Sequence, residues 1–226
     1  MLSDDTYIAR SLWLLGEWDV ALAVLGPDAD PELRAEIAVD RWFFRIEDHD
    51  EAEQAVAALD PGSPTAHLLT ARLAYSRLLF RHNPRADDRA VAEAGYRAAV
   101  EGGDEKQRGW AEYHWAVLLD NIDEDSAGAL PRYERALEIA TRSGDGYFES
   151  YIIRHLAPHK EPAERLAMLR RSLHLRAALG ARPQTLAAQA LLAENLPDND
   201  PERAELMRTF HPGAEELHIG WLMSEH

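Results

Sequence analysis

Several things are scarce in this chain, and each scarcity excludes a class of protein. Among its 226 residues there is no cysteine, which removes disulfide frameworks, thiolate metal sites and cysteine nucleophiles together and suits a reducing compartment. Lysine is nearly absent too: only Lys106 and Lys160 accompany the arginines, a bias that a GC-rich bacterial genome produces. Long hydrophobic runs are missing, since no stretch approaches the roughly 20 apolar residues that span a bilayer. The opening MLSDDTYIAR lacks the basic start and apolar run of a secretory signal. The expectation is a cytoplasmic protein, with no membrane partner.

Positive charge is the fourth scarcity. The formal net charge is −16, and it is uneven: residues 1–60 hold 15 acids against 4 bases, whereas residues 61–160 hold 15 against 13. Such an acidic field repels phosphate backbones, so nucleic acid is not expected as a partner.

What is present is helical periodicity almost throughout, punctuated by GPDADP, DPGSP, NPRAD, LPDNDP and FHPG. Proline fixes φ and lacks a donor, while Asp and Asn cap the helix that follows. The pattern predicts an all-α chain with helices at 3–14, 17–25, 31–46, 50–59, 64–82, 86–101, 105–121, 126–143, 146–157, 161–179, 183–195, 201–210 and 213–223.

The helices repeat. PRYERALEIATRSGD from Pro131 aligns with AMLRRSLHLRAALGA from Ala167, which sets Tyr133 over Leu169 and Ala136 over Ser172; AEAGYRAAVEGGD sets Tyr96 and Ala99 in the same roles one unit earlier. A spacing of about 36 residues denotes a stacked helical hairpin. In the helix at 161–179, Leu166, Leu169 and Leu173 lie opposite Met168, Leu175 and Leu179, so two sides need cover, and Arg176 beside the first stripe is expected to reach water along its stem.

These residues resemble the tetratricopeptide repeat (TPR). GEWDVAL at 16–22 is similar to that family's turn and second-helix start, ALPRYERAL at 129–137 and AEAGYRAA at 92–99 to its second-helix pattern, and WAVLL at 115–119 and YSRLL at 75–79 to its first-helix aromatic-xx-Leu. The family's first-helix glycine is replaced by Leu79, Leu119 or Ala157. SLHLRAALGA and the longer period resemble the repeats of actinobacterial regulators. The resemblance implies a single α-solenoid domain over 1–226, with hairpins near 3–25, 31–59, 64–101, 105–143, 146–179 and 183–210 and a capping helix at 213–223. It also implies protein–protein interaction through a concave groove lined by first helices, at Arg10, Trp13, Ser76, Phe80, Tyr113, Asp120, Tyr151, Arg154, His155 and Glu194.

Motifs with catalytic chemistry are sparse. RHLAPH at 154–159 sets His155 and His159 four apart, but a zinc-protease helix needs Glu after the first His, where Leu156 stands, and Pro158 interrupts the helix. Helix termination is expected, with Glu149 or His114 as further ligands only in a metal-site alternative. NIDEDS at 121–126 lacks the EF-hand glycine and is expected to cap a helix through Asp125 or Ser126. Neither a phosphate loop nor a G-x-S-x-G elbow occurs.

The expected function is a non-catalytic scaffold that binds a protein or peptide segment, without catalytic residue, metal or cofactor. A regulatory module for a small effector or signalling peptide, and a metal-assisted enzyme, are the alternatives. The apolar C-terminus, with Leu217, Ile219, Trp221, Leu222 and Met223, is expected either to cap the sixth hairpin or to dock between chains as a homodimer contact.

Overall fold

The computed structural model describes residues 4–26 and 30–223, and among them finds helices and no strand. The helices are α1 (Asp4–Leu15), α2 (Trp18–Leu25), α3 (Pro31–Arg45), α4 (His49–Ala57), α5 (Pro64–Phe80), α6 (Asp88–Gly102) and α7 (Glu105–Asn121). They continue as α8 (Ser126–Ser143), α9 (Gly146–Leu156), α10 (Pro162–Ala178), α11 (Arg182–Asn195), α12 (Pro201–Glu216) and α13 (Gly220–Met223), with one 3-10 turn at Ala157–His159. Part of the turn expected at 26–31 and the start expected at residue 3 lie outside the described residues. No described helix is long and apolar enough to cross a membrane.

The chain divides into two compact units: residues 1–30, 40–48 and 149–226 form the first, and residues 31–39 and 49–148 the second. In the second unit, successive helices pack as neighbours, α4 on α5, α5 on α6, α6 on α7 and α7 on α8, and α5 also meets α7. Small residues permit this. A Cβ at Gly95 would meet the carbonyl oxygen of His67 at 2.6 Å, so α6 lies against the backbone of α5. The repeat positions are all interior: Ala92, Tyr96 and Ala99 on α6 and Ala129, Tyr133 and Ala136 on α8 have no exposed surface. Caps follow the sequence chemistry. Asp104 and Gln107 bond reciprocally to each other's amides at the start of α7, and Asp125 caps α8 through the amide of Gly128.

That unit also buries an ion network. The Arg77 guanidinium, 4% exposed, bonds both oxygens of the fully buried Asp88, and its Nη1 donates to Glu53 Oε1 at 2.8 Å. Burial alone would raise the Asp88 pKa, but the hydrogen bonds from Arg77 and from the Arg85 amide outweigh it and hold the carboxyl below its usual value.

In the first unit, α10 packs on α11 and α11 on α12, and Leu169 and Ser172, the counterparts of Tyr133 and Ala136, are likewise buried. The first hairpin joins them. Gly16 ends α1 in a left-handed conformation (φ 83°), and a Cβ there would meet Leu217 and Pro183 side chains at 2.9 Å. Trp18 stacks on Phe44 at 5.6 Å, and Arg45 donates to the Leu217 carbonyl at 3.2 Å. Asp19 binds Arg41 and Arg45, each at 2.7 Å, and these bonds overcome the burial that would raise its pKa. Within this unit α1 meets α11, a contact that nearest-neighbour stacking does not supply.

Three expectations are corrected here. Helix α12 runs through Pro212 to Glu216 instead of stopping at 210, because proline deprives only the Arg208 carbonyl of its helical donor while Phe210, Ala214 and Leu217 remain buried on one side. It ends where His218 turns left-handed and the amides of His218 and Ile219 bond back to Glu215 and Ala214. The last helix is therefore a single turn at 220–223, not 213–223, and its Trp221 packs against Phe43 and Phe44 of α3, each at 6.3 Å. Arg176 does not reach water: it is 2% exposed, because Ser150 and Gln184 oxygens accept its hydrogens.

Candidate binding site

The α9 sequence ends in a cationic cluster. Helix α9 stops at Leu156 and the 3-10 turn containing Pro158 follows, so RHLAPH terminates a helix as its proline requires. Arg154 Nη1 lies 3.1 Å from His155 Nε2. Burial pushes the His155 pKa well below its ordinary value, and the neighbouring charges of Arg154, Arg176 and His159 push it the same way. The imidazole is thus neutral, and its Nε2 accepts a hydrogen bond from the guanidinium. Arg154 therefore keeps its charge beside a neutral partner; it forms no ion pair among the described residues, and its Nε is buried without a hydrogen bond.

Behind it lies Arg176, whose Nε donates to Ser150 Oγ at 3.2 Å and Nη1 to the Gln184 carbonyl at 2.9 Å. Its guanidinium sits over the Tyr151 ring at 4.7 Å from the centroid. The Gln184 side chain is 2% exposed with an Oε1 that has no partner. The half-buried Arg154 guanidinium, facing a neutral imidazole, is the group of this cluster that can pair with an incoming carboxylate.

Of the other expected groove residues of this unit, Trp13 is half-buried and its indole donates to Asp40 at 2.7 Å. Arg10 is half-buried with an unbonded Nε, and Glu194 is exposed. Sequence reasoning missed Ser150, Arg176 and Gln184 as supports of this cluster. A signal for one existed: Arg176 occupies the repeat position of the buried Ala140.

The four expected residues of the second unit are engaged internally or at helix ends. Ser76 is 1% exposed and bonds the Arg72 carbonyl of its own helix. Tyr113 is buried among Trp110, His114, Tyr133 and Phe148. Asp120 accepts from Ser126 Oγ at 2.8 Å, and Phe80 is the half-buried last residue of α5. The metal alternative finds its extra ligands occupied: Glu149 pairs with Arg171 at 2.7 Å and His114 stacks on Trp110. Among the described residues no group of three His, Asp or Glu side chains could hold a metal.

No protein-family model, curated protein or solved structure matches the chain.

Proposed function

We propose that the chain is a non-catalytic scaffold of stacked, TPR-like hairpins that binds a protein or peptide segment, and that Arg154 anchors a carboxylate of that segment. The observation that carries this reading is the Arg154 guanidinium itself, half-buried, charged, and facing a neutral imidazole instead of an acid. An arginine in that state gains a charge-assisted pair when a carboxylate arrives, with part of the desolvation already incurred on folding. The repeat spacing supports the hairpin frame, since the equivalent positions 96, 133 and 169 and 99, 136 and 172 are interior. An alternative anchored on metal-assisted catalysis would need ligands that the cluster lacks.

Selection from a random peptide library tests the proposal, with wild-type protein and Arg154→Gln run in parallel. Acid-rich peptides recovered by the wild type, with affinity reduced about tenfold or more in the variant, would support it. Recovery of no peptide, or equal recovery by both proteins, would refute it. Metal analysis of protein purified without a histidine tag is the companion measurement: stoichiometric zinc lost in His159→Ala would favour an enzyme instead.

A further inference from the structure

The first helix presents a face that its own unit leaves uncovered. Tyr7 is 69% exposed, Ile8 44% and Leu15 45%, with half-buried Leu12 beside them. At 100° per residue these four fall within a sector of about 140°, with Thr6 and Ala9 buried on the other side. Large apolar side chains arranged along one helix face and left in water mark an interaction surface more strongly than the same residues scattered singly.

The stripe leads into a cleft. Leu15 lines a cavity of about 550 Å³ together with Ala177, Leu186, Pro212 and Gly213, and Leu179, 46% exposed, lies between Ala177 and the lining Gly180. At this wall Gly213 lets Leu186 pack closely on α12, since a Cβ there would meet Leu186 at 2.7 Å. That volume accepts one large apolar side chain with room to spare. From Tyr7 to the cleft the stripe is about 12 Å long, or a little over two helical turns.

Charge at the rim selects the partner. Asp4, Asp5 and Glu17 are exposed at the two ends of α1, and none forms an ion pair among the described residues. Glu215 is exposed near the cleft, where Glu216 pairs with Arg182. Residues 1–30 contain six acids and one base. A second copy of the chain would bring a like-charged rim to this rim, and an anionic membrane surface would be repelled in the same way.

We propose that the exposed face of α1 and the cleft at its C-terminal end dock a basic amphipathic helix, whose apolar face covers Tyr7, Ile8 and Leu15, whose largest apolar side chain enters the cleft, and whose lysines or arginines meet Asp4, Asp5 and Glu17. The surface shares no residue with the Arg154 cluster and goes beyond the function proposed there. Apolar contact supplies the affinity and the acidic rim supplies orientation and preference.

Two synthetic helical peptides of about 14 residues test it on the full chain. Both carry leucine on one face and a single tryptophan anchor; one carries lysine on the other face and the second carries glutamate. The lysine peptide should bind as a one-to-one complex, at least about tenfold more tightly than the glutamate peptide, and should weaken markedly between about 0.05 and 0.5 M salt. Ile8→Ser and Leu15→Ser alter exposed positions and should leave the circular dichroism spectrum unchanged; together they should reduce affinity about tenfold. Arg154→Gln should leave this binding unchanged. Equal binding of the two peptides would overturn the proposal, as would insensitivity to the Ile8→Ser and Leu15→Ser pair. Loss of binding in Arg154→Gln would place the peptide elsewhere and also overturn it. So would sedimentation showing a dimer that Leu15→Ser dissolves, which would make a second copy the occupant.

Discussion

Arg77 of the second unit and Arg176 of the first are both deeply buried and are held by different means, although the first unit also pairs a buried Arg41 with Asp19 and Asp48. In the second unit, Arg77 is neutralised by Asp88 and Glu53, and Arg85 closes the network from outside. The first unit holds Arg176 by backbone and hydroxyl oxygens and by the face of Tyr151, and one helix away Arg154 stands beside a neutral His155. The lesson concerns where a ligand can act. A guanidinium already saturated by carboxylates has little to gain from another acid, whereas one supported by neutral groups retains its field.

The largest expected effect breaks the saturated side. Arg77→Met leaves Asp88 buried without its counter-charge and should cost about 3–5 kcal/mol in urea unfolding. Adding Asp88→Asn should recover a substantial part of that loss. A single variant with an unchanged midpoint would show that the pair is not held as described.

Next in size is the join between the first hairpin and the C-terminal helices of the first unit. Gly16→Ala forces a Cβ into the left-handed region and against Leu217 and Pro183, and should lower stability by about 1–3 kcal/mol. The same measurement on Gly144→Ala, also at positive φ but with no atom within 4 Å of the added Cβ, should show only the conformational part. Equal losses in the two variants would remove the packing contribution. In the second unit, Ala136→Leu puts bulk into a site with no exposed surface and should cost about 1–3 kcal/mol; an unchanged midpoint would mean that the repeat frame is misplaced.

Smaller still is a pH effect that separates the two solutions. His155 has a folded pKa below its unfolded value of about 6.5, so folding favours its neutral form. Its contribution is complete above the unfolded pKa and declines as pH falls from about 7 towards 5. The groups pressing on it are Arg154, Arg176 and His159. His155→Gln keeps an acceptor for Arg154 but does not titrate, and should therefore lose less stability over that interval than the wild type. Identical pH dependence in the two proteins would contradict a half-buried histidine held neutral.

Helix existence was legible because 3.6-residue periodicity and proline–aspartate punctuation are local signals. All of α1 to α11 lie within a few residues of their expected positions. Pro212 misled because a proline reads as a stop from sequence, whereas burial of Ala214 and Leu217 carries the helix across it. The contact of Gly16 with Leu217 joins residues far apart in sequence, and no local pattern announces such a pair. For the site, Arg154, His155 and Tyr151 were named from the repeat frame. The hold of Ser150 and Gln184 on the neighbouring Arg176 depends on hydrogen bonds to a hydroxyl and to main-chain oxygens, groups that no sequence pattern singles out. Ser76 and Tyr113 show the opposite case, since a first-helix position turned inward satisfies the same spacing as one turned outward.

The unsaturated charge of Arg154 is the centre of this account, and its Nε–H group reports on it directly. Two-dimensional ¹⁵N–¹H spectra of the arginine side chains, recorded during titration with an acid-rich peptide recovered by selection, follow Arg154 and Arg77 in one experiment. A saturable shift of the Arg154 Nε–H resonance is expected, absent in Arg154→Gln, while the Arg77 resonance stays in place. Peptide binding that leaves Arg154 unmoved, or moves Arg77 as far, would contradict it.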